Sequence, residues 1–88
     1  MQTVSDLNTW TKITGLEDEK KYLIQASLEN KSSLDSRRKL VEVEWIQSDS
    51  APSASDGGSL GEELICIGDV DVYVKSDCQI YITVQEVF

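Results

Sequence analysis

The residues able to do chemistry are few and widely spaced. Histidine is absent from the 88-residue chain, which removes the commonest general base and the commonest metal ligand. A Ser-His-Asp or Cys-His nucleophile is thereby excluded. Cys66 and Cys78 lack zinc-site spacing, and two thiols without histidine leave such a site two ligands short. Both thiols lie in phase with apolar neighbours on strand-like runs, so they are read as buried and free, with a disulfide as the alternative. Asp56-Gly57-Gly58 resembles part of a calcium loop, but the D-x-[DN]-x-[DN]-G spacing and the distant glutamate are missing. Asp69 and Asp71 stand two apart on one face of a strand start. Paired carboxylates there can do acid–base work or hold a cation, but their commoner role is a solvated edge that discourages edge-to-edge pairing. "GGSLG" lacks the Lys-Ser/Thr ending and the following helix of a phosphate loop. Asn30-Lys31-Ser32 fits a glycosylation acceptor, with nothing else in the sequence to suggest secretion. These residues support no catalytic site, no cofactor and no metal, and a non-enzymatic protein is expected.

The elements that would position any site must come from one small domain spanning 1–88. A chain of this length buries roughly 60 to 65 % of its unfolded surface, so its core is thin, and association with copies of itself is a common remedy. Sixteen acidic residues stand against eight basic ones, a net charge of −8. Phosphate binding needs clustered cations, and only Arg37, Arg38 and Lys39 cluster. Nucleic acid and anionic membranes are therefore not expected as partners. No apolar run approaches a membrane span, and MQTVSDLNTWTK lacks the regions of a signal peptide. Synthesis in a cytoplasm as a soluble chain is the expectation.

Period-two alternation dominates the pattern. In residues 39–47, Val41, Val43 and Trp45 share one face, opposite Glu42 and Glu44. In DVDVYVKS, Val70, Val72 and Val74 oppose Asp71, Tyr73 and Lys75. In CQIYITVQEV, Cys78, Ile80, Ile82 and Val84 oppose Gln79, Tyr81, Thr83 and Gln85. β-Branched and aromatic residues fill all three runs. ELICIG sets Leu64 and Cys66 against Ile65 and Ile67, and its nearly continuous apolar character predicts a strand covered on both faces. KKYLIQASLEN is read as a strand after a turn at 15–19. Thr14 and Glu17 do match a helix capping box, but the apolar residues cluster consecutively where a helix would need a stripe. LNTWTKIT is read as a further strand, or as an arm lying against a neighbour. Six short antiparallel strands with turns between them predict an all-β sandwich or small barrel. The Ser/Asp/Gly-rich stretch at 48–61 is read as a surface loop stiffened by Pro52, joining two strands of one sheet system.

The second faces of these strands carry apolar bulk that a monomer does not explain. Tyr73 and Tyr81 lie opposite the Val and Ile rows, and Ile46 lies opposite Trp45. Trp45, in phase with Val41 and Val43, is read as core; Trp10 is left open between core and partner contact. If such residues converge they form a patch suited to association. The expected interface residues are Trp10, Ile46, Tyr73, Tyr81, Val87 and Phe88, the last two at an apolar end that would otherwise fray.

With these residues placed, the chain resembles small virion proteins of tailed bacteriophages, of the capsid-decoration and head- or tail-fibre type. The resemblance is carried by Trp10, Gly15-Leu16, residues 22–25 (YLIQ), Ala51-Pro52, Gly61-Glu62, residues 72–76 (VYVKS) and residues 82–87 (ITVQEV). The chain departs from that pattern at ENKSSLDSRR, where a tighter turn is expected. The resemblance implies a β-sandwich, a homotrimer, no catalytic residues, and a structural role in the virion by docking on a larger capsid or tail protein. A carbohydrate- or host-surface-binding module is the alternative, motivated by two Trp, three Tyr and the long polar loop.

Overall fold

The computed structural model describes residues 2–30 and 39–87. Among them the chain is all-β, with eight strands. These are β1 (Gln2–Val4), β2 (Thr11–Lys12), β3 (Lys21–Ser27), β4 (Val43–Gln47), β5 (Ser59–Gly61), β6 (Glu63–Ile67), β7 (Val72–Lys75) and β8 (Ile80–Val87). They form two four-stranded antiparallel sheets, ordered β1-β8-β3-β6 and β2-β7-β4-β5. Neither sheet closes on itself, so the fold is a sandwich and not a barrel.

The period-two pattern sets the two facing layers. The first sheet turns Val4, Tyr22, Ile24, Ala26, Cys66, Ile80 and Ile82 inward. The second contributes Val43, Trp45, Val72 and Val74. Ile24, Ile80, Ile82, Val72 and Val74 are fully buried. Trp45 is core, as its phase predicts, and its indole N–H donates to the Gly61 carbonyl at 2.9 Å. That bond satisfies the polar edge of an otherwise apolar ring, as a buried Trp requires. The residues before β3 form a turn and no helix. Gly15, at φ 84°, supplies the left-handed conformation there.

Several sequence expectations need correction. There are eight strands where six are predicted, because Gln2–Val4 and Ser59–Gly61 are too short to show an alternation. The predicted loop at 48–61 ends three residues early, since Ser59–Gly61 pairs with Val43–Trp45. LNTWTKIT contributes only the two residues of β2. Asp69 and Asp71 share no strand face. They lie in the turn before β7, where Asp69 accepts the Glu19 N–H at 2.6 Å and Asp71 pairs with Lys12 at 3.5 Å. Cys78 lies before β8 and is half-buried, whereas Cys66 is buried; both are free. Strand β6 is not covered on both faces: Ile65 and Ile67 face solvent. Phe88, most of ENKSSLDSRR and the Arg37-Arg38 pair lie outside the described residues.

Candidate interaction surface

Each sheet has an outer face, and the two differ in what covers them. On the second sheet, antiparallel register aligns Lys12, Tyr73 and Ile46 in one row. The next row holds Lys75, Glu44 and Leu60. Trp10, just before β2, lies over this face: the Lys75 ammonium sits 4.7 Å from its ring centroid. The same ammonium donates to the Ala54 and Asp56 carbonyls, both at 3.2 Å, and stands 3.9 Å from a Glu44 carboxylate oxygen. Glu44 in turn accepts the Gly58 N–H at 3.2 Å. Lys75 thus clips the 48–58 loop down onto the sheet, with only 15 % of its side chain exposed.

Gly58 is required by this arrangement. A Cβ there would stand 2.6 Å from the Trp45 carbonyl oxygen and 2.8 Å from the Trp10 ring. The polar loop is therefore a fitted cover. Tyr73, on the same outer face, is 7 % exposed although it points away from the core.

Among the described residues, the outer face of the first sheet is covered only towards one end, where Thr83 and Ser27 are buried. Its rows, read across β6, β3 and β8, are Ile67-Lys21-Val87, Ile65-Leu23-Gln85 and Glu63-Gln25-Thr83. Tyr81 follows beside Ser27 and Thr3. Ile65 and Ile67 are 59 % and 54 % exposed, and Leu23, Tyr81 and Val87 are half-buried. Apolar groups thus hold two of the three positions in each of the Ile67 and Ile65 rows.

The expected interface residues separate onto these two faces. Ile46 and Tyr73 are neighbours on the second sheet, and Trp10 lies against Lys75 on the same face. Tyr81 and Val87 lie towards opposite ends of β8 on the first sheet. Leu23, Ile65 and Ile67, which dominate the open face, are absent from the sequence-based set. The odd-numbered phase of ELICI held the signal, but its even and odd positions are equally apolar, so phase alone does not say which side meets water. Lys75 was placed on an outer face without its role as a clip.

Among the described residues no three Cys, Asp or Glu side chains converge as a ligand set. Burial pushes the Cys66 thiol above its ordinary pKa, which suppresses its thiolate and its reactivity. Glu17 and Lys20 form an exposed ion pair. Hydrogen bonding and charge attraction hold Glu17 below, and Lys20 above, their ordinary pKa values. No protein-family profile, curated protein or solved structure matches the chain.

Proposed function

We propose that the protein is a non-enzymatic structural module of a bacteriophage virion, which works by burying surface against a larger capsid or tail protein and against copies of itself. The observation that carries the assembly part is the open outer face of the first sheet. Leu23, Ile65, Ile67, Tyr81 and Val87 line one side of a rigid sandwich, where a monomer gains nothing from exposing them. The virion part rests on the sequence resemblance carried by residues 22–25, 72–76 and 82–87. A charge of −8 suits docking on a shell with basic or mixed patches, where charge steers encounter more than it sets affinity. No nucleic acid or membrane enters this reading, and the site of action is the virion after synthesis in the host cytoplasm.

The aromatic residues do not favour the carbohydrate alternative. Trp45 is buried, and one face of the Trp10 ring is occupied by Lys75. The experiment is mass spectrometry of gradient-purified particles from the phage that encodes the chain. Stoichiometric recovery with the particles is expected. Its absence from intact particles, with the chain present in the lysate, would overturn the virion reading.

A further inference from the structure

Among the described residues the sandwich has four sheet edges: β1 and β6 in the first sheet, β2 and β5 in the second. Three are poor templates for a partner strand. β1 has three residues, β2 has two, and β5 has three and ends in Gly61. β6 differs, with five residues of sequence ELICI. Long edges are ordinarily blunted by lysine, proline or a bulge, because an open edge recruits other strands. β6 has none of these, and its only charge is Glu63 at one end.

The backbone of β6 is set for pairing. Ala26 N–H donates to the Glu62 carbonyl at 3.1 Å, and Gly68 N–H donates to the Lys20 carbonyl at 2.9 Å. With the register Tyr22↔Cys66 and Ile24↔Leu64, the even-numbered residues of β6 exchange hydrogen bonds with β3. The N–H and C=O groups of Glu63, Ile65 and Ile67 therefore point to the open side. The side chains of the same three residues are exposed on the outer face. Beside them a cleft of about 500 Å³, lined by Ile65, Cys66, Ile67, Val70 and Gln47 among others, opens where β5 stops short of the end of β4.

We propose that β6 pairs with β6 of a second copy of this chain, antiparallel about a two-fold axis through Ile65. In that register Ile65 opposes the copy's Ile65, and Glu63 opposes the copy's Ile67. Each opposed pair exchanges two backbone hydrogen bonds, about six in all. A slip of two residues keeps the bonding parity but loses one pair and sets Glu63 or Ile67 against Ile65. In the centred register Ile65 meets the copy's Ile65 with Leu23 on either flank, and one apolar row crosses four strands. The next row places Lys21 and Ile67 beside the copy's Glu63. Lys21 and Glu63 make no ion pair within the protomer among the described residues. Across one intervening strand, about 4.8 Å from each neighbour, their long side chains can meet over Ile67.

This inference stands on the edge geometry and is independent of where the protein works. The two-fold pair differs from the homotrimer that the resemblance implies. A five-residue edge buries an area at the small end of stable interfaces, so association in the micromolar range is expected. Like net charges oppose the pairing, and added salt, by screening them, strengthens it.

Sedimentation equilibrium of the purified full chain from low to high micromolar concentration tests the proposal, with amide hydrogen exchange followed by NMR. The expected result is a monomer–dimer equilibrium that tightens with salt, in which the Ile65 and Ile67 amides become protected as concentration rises. Ile65→Lys, at an exposed position, should weaken the dimer by more than about tenfold while leaving the monomer folded. Lys21→Glu and Glu63→Lys should each weaken it, and the double exchange should restore it. Leu60→Lys, on the β5 edge, should leave it unchanged. A monomer throughout, a trimer mass, or a dimer indifferent to Ile65→Lys with the Ile65 amide still unprotected would each overturn the proposal.

Discussion

Replacing Lys75 with Met tests whether the polar loop at 48–58 is a fitted cover held by one cation. Met keeps most of the apolar stem and removes the charge. The lost cation–π contact with Trp10, partly shielded from water, contributes about 1 to 2 kcal/mol. The two bonds to the Ala54 and Asp56 carbonyls are long, at 3.2 Å, and together contribute about 1 to 2 kcal/mol. Ala54 and Asp56 are exposed, so their carbonyls rehydrate when released and add no burial penalty. Glu44 at 3.9 Å contributes little, as expected of a loose and partly solvated pair. A thioether against the Trp10 ring returns about 0.5 to 1 kcal/mol. The net loss is about 1 to 3.5 kcal/mol, read from urea unfolding with the slope held common. Hydrogen exchange localises it: the Gly58 amide and the loop should lose protection while the amides of β3 and β8 keep theirs until global unfolding. The Trp10 emission should shift to the red. A change below about 0.5 kcal/mol with loop protection intact would refute the clip, since the loop would then be held without Lys75.

Gly68→Ala should be severely destabilising, by about 3 kcal/mol or more, because the new Cβ collides with the Glu17 carbonyl oxygen of the adjacent turn; a thermal midpoint within a few degrees of wild type would count against that packing. Thiol labelling in the native state should modify half-buried Cys78 before Cys66, which is buried and has a raised pKa; equal rates would contradict the placement of β6. The Glu17–Lys20 pair gives a signed pH dependence. The lowered pKa of Glu17 means its stabilisation is present above the ordinary 4.5 and is lost as pH falls through the folded value. The raised pKa of Lys20 means its share is present below the ordinary 10.5 and is lost as pH rises through the folded value. NMR titration of the Glu17 carboxyl should find a value under 4.5, and one above it would reject the pair.

The all-β fold was legible because period-two alternation is a local signal. β4, β7 and β8 announce themselves through Val43-Glu44-Trp45, Val72-Tyr73-Val74 and Ile80-Tyr81-Ile82, and the inward phase of each is the one the sequence predicts. What escaped was set by distant partners. β1 and β5 have three residues each and exist because β8 and β4 offer them a ladder. Ile65 and Ile67 are exposed because nothing among the described residues packs over that side of β6, a fact of tertiary arrangement that ELICI does not encode. Tyr73 was legible as outward-facing, but its burial on that face was not. The apolar residues of the second faces were thus visible in the sequence, and their division between a covered face and an open one was not.

Strand order also bears on how the molecule is made. β7 and β8, the last two strands in chain order, lie inside their sheets, each between strands synthesised much earlier. Until they emerge from the ribosome, β1 and β2 have no partner at all, and β3 and β4 can pair only with β6 and β5. Translation therefore delivers most of this chain with Ile24, Ala26, Val43 and Trp45 unsheltered. Closure comes at the end, as two central strands insert and bring distant segments together. Such non-local pairing is slow and prone to aggregation, so the nascent chain, more than the finished sandwich, is the state in which a chaperone would make the difference to yield.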